Sequence, residues 1–85
     1  MIYPIGTPFI VIMNPMQPET SSYFGVITSE PLKGLLPFDM IHYDIEYISS
    51  NKPGVDLEMN NRNLIIDEKD LHKAVKNYEE YIGSN

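Results

Sequence analysis

From Met40 to Ile48 the chain alternates without a break, with Ile41, Tyr43, Ile45 and Tyr47 in one register and His42, Asp44 and Glu46 in the other. A period of two is the signature of a strand with one face buried and one face wet. A single such strand cannot hide its apolar face in water and needs paired neighbours. The fold class therefore turns on what else in the chain can pair with it.

Several short segments qualify. Phe9-Ile10-Val11-Ile12-Met13 is rich in β-branched residues and lies between Pro8 and the breaker cluster Asn14-Pro15-Met16-Gln17-Pro18, which suits a strand entering a loop. Tyr23 to Thr28 reads as a second strand, and Gly25 inside it marks a bulge or a close approach of backbone. Between Glu30 and Phe38, Pro31, Gly34 and Pro37 interrupt Leu32, Leu35 and Leu36, so a packed loop across the end of a barrel is expected. Val55, Leu57 and Met59 alternate with Asp56 and Glu58. Asn60 to Asn63 then supplies hairpin residues before Leu64-Ile65-Ile66.

The period changes after Asp67. Leu71, Ala74, Val75, Tyr78, Tyr81 and Ile82 recur at helical spacing up to Gly83, which predicts an amphipathic helix over 67–82 with Asp67 as N-cap. Glu68 and Asp70 suit the positive end of the helix dipole, whereas Glu79 and Glu80 sit at the wrong end. Lys76 stands four residues before Glu80, a spacing that allows an ion pair.

With 85 residues, the expectation is one domain over 1–85, with a barrel over 5–66 and the helix after it. The class is mainly β with one C-terminal helix. Four or five short strands need mutual closure to hide their edges, so a small barrel capped by the helix is expected. A chain this short buries only about 60–65% of its unfolded surface, which favours a surface groove over an enclosed cavity.

The element order resembles the Src-homology-3-like small barrels, including the KOW and Tudor types. Ile5-Gly6-Thr7-Pro8-Phe9-Ile10-Val11 resembles their opening strand, and Tyr23-Phe24-Gly25-Val26-Ile27 their G-x-I/V strand. Asn63 to Leu71 resembles the closing strand that runs into E-x-x-L. The resemblance implies a binding module for protein or nucleic acid. The chain has no Trp, and Tyr43-Asp44-Ile45-Glu46-Tyr47 departs from the A-L-Y-D-Y-like stretch, so the likeness does not extend to polyproline recognition.

Chemistry finds little support in the residues. There is no Cys, hence no thiolate zinc site or disulfide. The serines carry no nucleophile signature, and the glycines form no phosphate-binding loop. His42, Asp44 and Glu46 share a strand face, but side chains two residues apart lie about 7 Å from one another and do not converge on an ion. No enzyme activity, cofactor or metal is expected. The opening Met1-Ile2-Tyr3-Pro4-Ile5-Gly6 lacks the pattern of a signal peptide, and a cytoplasmic location is expected.

Twelve acidic against six basic residues give a net charge of −6, which disfavours nucleic acid and anionic membranes as partners. Residues 39–70 hold eight of the acids against Lys52, Arg62 and Lys69, a local net of −5. The expected function is binding of a protein with a basic surface through Asp39, Asp44, Glu46, Asp56 and Glu58. The apolar loop residues Met16, Leu35, Leu36 and Phe38 join the same expected site. Small size and the lack of Cys fit a phage-type accessory protein that inhibits or regulates a host protein. One alternative is a nucleic-acid-binding module using Lys33, Lys52, Arg62, Lys69, Lys73 and Lys76. Another is a structural subunit of a larger assembly.

Overall fold

The computed structural model describes residues 2–13, 21–34, 40–51, 57 and 64–83. They form β1 (Pro8–Met13), β2 (Ser21–Ile27), β3 (His42–Ser50), β4 (Ile65–Asp67) and the helix α1 (Glu68–Gly83). The strands make one antiparallel sheet in the order β1-β2-β3-β4, curled into a half-barrel. Among the described residues no helix is long and apolar enough to cross a membrane.

The alternation in β3 is realised as a core. Tyr43 and Ile45 are buried together with Phe9, Ile27, Leu71, Ala74 and Val75, and Ile41 and Tyr47 pack against this cluster. Fully burying one such side chain is worth roughly 1.5–3 kcal/mol, so the concave face and the helix stripe supply the main driving force.

Gly25 serves both purposes that its place in a strand suggests. The register slips between Phe24 and Gly25, leaving Ile48 as the extra residue of a bulge in β3. A Cβ on Gly25 would lie 2.6 Å from Phe9 Cζ and 2.8 Å from the Glu46 carbonyl oxygen. The Phe9 ring thus lies directly on the β2 backbone. Ahead of β1, Gly6 has a φ of 90°, a value that glycine reaches without strain. This lets the turn at 4–7 place the Gly6 N–H on the Ile27 carbonyl at 2.8 Å.

The helix stands between the two edge strands. It follows β4 without a connecting loop, and the Asp67 carboxylate accepts the Asp70 N–H at 2.7 Å. This is an N-cap, of a kind worth about 1 kcal/mol. Leu71, Ala74 and Val75 face the core. Further along, Asn77 Nδ2 donates to the Ile10 carbonyl at 3.0 Å, so α1 reaches from the β4 edge to the β1 edge. Pro8, with no N–H, and the Asn77 amide together blunt the β1 edge. Among the described residues the sheet does not close on itself, and the helix stands in the opening.

Four expectations need correction. The barrel is a half-barrel, because among the described residues four strands are too few to bring β4 to β1 and α1 occupies that gap. Of the strand expected over 55–59, Leu57 alone is described and is helical; the other four positions lie outside the described residues. β4 pairs instead with β3, His42 opposite Asp67 and Tyr43 opposite Ile66. His42, expected on a solvated face, is fully buried. It sits mid-ladder, exchanging backbone hydrogen bonds of 2.8 and 3.0 Å with Leu32 on one side and facing Asp67 on the other. Finally, the end of the expected helix stripe is not part of the core cluster. Tyr81 and Ile82 are 61% and 51% exposed, because the last turn runs beyond the core cluster.

Candidate functional site

The outer, convex face of the sheet is built from the residues that alternate with the core. Pairing sets them in rows: Pro8, Val26 and Glu46 form one, and Ile10, Phe24 and Ser49 the next. Ile12 and Ser22 continue the series, and the Asn51 N–H extends it by donating to the Ser22 carbonyl at 3.1 Å. The helix edges this face at β1, where the rings of Phe24 and Tyr78 lie 5.8 Å apart. Between helix and strands runs a groove of about 710 Å³. Its floor is Ile10, Ile12 and Phe24, one margin is Ser22, Ser49 and Asn51, and the other is Asn77, Glu80 and Tyr81. Among the described residues Glu80 is the one charged residue lining it.

A second cleft, also about 710 Å³, adjoins the groove and shares Ile12, Asn77 and Glu80 with it. Val11, Ile45, Tyr47 and Ile66 form its apolar lining, and Asp70, Lys73, Lys76 and Glu80 its rim. Its charges balance. The expected Lys76–Glu80 pair does not form: among the described residues the ion pair is His72–Glu68, at 3.9 Å.

Of the residues expected to bind a partner, Asp44 and Glu46 are described. Both lie on the outer face of β3, Glu46 exposed and Asp44 half-buried. Asp44 is held through its backbone, its N–H donating to Ser29 Oγ and its carbonyl accepting from the Thr28 N–H, each at 2.9 Å. Asp39, Asp56, Glu58, Met16, Leu35, Leu36 and Phe38 lie outside the described residues. Among the described residues no three His, Asp or Glu side chains are grouped to hold a metal ion. Lys33, Lys69, Lys73 and Lys76 are exposed, and Lys52 and Arg62 lie outside the described residues.

Sequence reasoning does not anticipate the contact between the start of the chain and the helix. Tyr3 Oη and His72 Nδ1 are 2.5 Å apart, the two rings meet edge-on at 5.3 Å, and the Tyr3 N–H points to Tyr43 Oη at 3.4 Å. Desolvation by burial pushes the Tyr3 hydroxyl above the ordinary value of 10.0, with Glu79, Tyr43 and Glu68 adding to the effect. Together with the His72–Glu68 contact, the Tyr3–His72 contact ties the segment preceding β1 to the helix. No local pattern signals a pairing across 69 residues.

Burial, followed by the neighbouring Tyr23, likewise raises the Tyr47 hydroxyl above 10.0. Both phenols stay protonated in the fold beyond the pH at which the unfolded chain releases them. Their contribution is therefore intact below pH 10 and is lost as pH rises through the folded values. Urea midpoints measured from about pH 8 to 11 should fall at the alkaline end, and less steeply in Tyr47→Phe. An identical fall in the variant would contradict this.

Among the described residues His42 Nε2 is buried with no hydrogen-bond partner, and Nδ1 has a long contact of 3.4 Å to the Met40 carbonyl. An unsatisfied buried polar atom costs about 1–3 kcal/mol. His42→Leu is thus expected to leave stability unchanged or raise it by about 1 kcal/mol, as read from the denaturation midpoint. A clear loss would mean that Nε2 has a partner.

Compared with protein-family models, curated proteins and solved structures, the chain finds no match.

Proposed function

We propose that this domain is a non-catalytic module that engages a protein partner with a basic surface. The supporting observation is negative charge left without counter-charge. Among the described residues the one acid–base contact is between His72 and Glu68, an ion pair when the imidazole is protonated, while Glu46, Glu79 and Glu80 are exposed and Asp44 is half-buried on the same face as Glu46. In a chain of net charge −6, such a field speeds encounter with a cationic surface and disfavours anionic ones. Asp39, Asp56, Glu58 and the loop residues Met16, Leu35, Leu36 and Phe38 belong to the proposed surface. Inhibition or regulation of that partner is the role proposed for the binder.

The immobilised domain is expected to retain protein from a lysate at low salt and release it at high salt, and the double variant Asp44→Lys, Glu46→Lys to retain much less. Retention of no protein at low salt, or equal retention by the variant, would refute the proposal. Salt-sensitive retention of DNA or RNA would instead favour a nucleic-acid role for the exposed helix lysines.

A further inference from the structure

The outer-face groove and the helix end beside it share an unusual charge arrangement. A helix C-terminus carries a partial negative charge and favours cations nearby, yet the last turn of α1 contains no basic residue and is preceded by Glu79 and Glu80. Glu80 lines the groove and, among the described residues, makes no ion pair, although Lys73 and Lys76 line the adjoining cleft with it. Across the face, Glu46 occupies the row next to Phe24 and Ser49 and is exposed. The apolar floor thus has a carboxylate and a helix C-terminus at one margin and a second carboxylate one row beyond, with neutral hydroxyl and amide groups between. Ile12 is 40% exposed, which leaves apolar area for a ligand to cover.

We propose that this groove takes an extended segment of the protein partner, with a large apolar side chain over Ile10, Ile12 and Phe24 and a lysine or arginine beside it on Glu80. This rests on the protein-binding reading and adds the partner's local chemistry. A purely basic segment would leave the floor wet, and an acidic one would meet Glu80 and the helix carbonyls. A cation that leaves water to sit between a carboxylate and a helix C-terminus keeps its charge compensated.

Three labelled peptides of equal length test it by fluorescence anisotropy: one alternating leucine and arginine, one leucine and glutamate, one serine and arginine. The leucine–arginine peptide is expected to bind at least about tenfold more tightly than either other peptide, and Glu80→Lys to weaken it by about tenfold. Glu80→Lys does not endanger folding, because lysine suits the end of a helix, and circular dichroism should be unchanged. Equal binding of the serine–arginine peptide would overturn the groove and leave charge-driven binding standing. So would a loss caused by Glu46→Lys but not by Glu80→Lys. Binding of none of the three, or equal binding of the leucine–glutamate peptide, would overturn the groove; the lysate experiment then decides the broader reading separately.

Discussion

Replacing Gly25 with alanine is expected to destabilise the domain by about 3 kcal/mol, as over-packing does where nothing can yield. The new methyl would meet the Phe9 ring at 2.6 Å and the Glu46 carbonyl at 2.8 Å. The ring is fixed within the core and the carbonyl belongs to the β3 backbone at the bulge, so neither can move without disturbing the sheet. For a domain of this size the melting temperature should fall on the order of 15 °C. Phe9→Leu in the same chain should recover part of the loss by withdrawing the ring tip, so the two changes should not add. Additive effects, or a melting point within a few degrees of the parent for Gly25→Ala alone, would show that Phe9 does not lie on β2.

The second large effect is expected at Leu71. It is fully buried and lies with Ala74 and Val75 on the stripe that joins α1 to the half-barrel. Leu71→Ala should cost about 2–5 kcal/mol, the range for a buried leucine whose cavity closes incompletely. Total stability for a chain this size is on the order of 4–13 kcal/mol, so the variant would be marginal. The exposed Tyr81→Ala, on the same helix but outside the cluster, should change the denaturation midpoint little. Similar losses at both positions would mean that the last turn, too, is packed.

What was legible in the sequence follows from how local each signal is. Alternation from Met40 to Ile48 correctly places Tyr43 and Ile45 in the core, because side-chain direction in a strand needs no knowledge of partners. Asp67 as N-cap and Gly25 as a close approach are legible for the same reason. Pairing is not local: nothing in 64–66 says that it joins β3, or that a helix stands where a barrel would close. The burial of His42 is not legible, because alternation gives the face and not what flanks it in the sheet. The groove is the least legible part, since β1, β2 and α1 contribute to its floor and margins. Its one sequence trace is Glu79-Glu80 at the unfavourable end of the helix, a local cost that secondary structure alone does not explain.

The outer groove depends on α1 being docked between the edges of the half-barrel, since it has no second wall without the helix. Native-state hydrogen exchange measures this most directly. The amides of Leu71 to Val75 should exchange only through the same global opening as those of Gly25 to Ile27 and Tyr43 to Ile45, with one common free energy and one denaturant dependence. Helix amides that exchange through a separate, lower-energy opening while the strands remain protected would contradict the docked helix and the groove built on it.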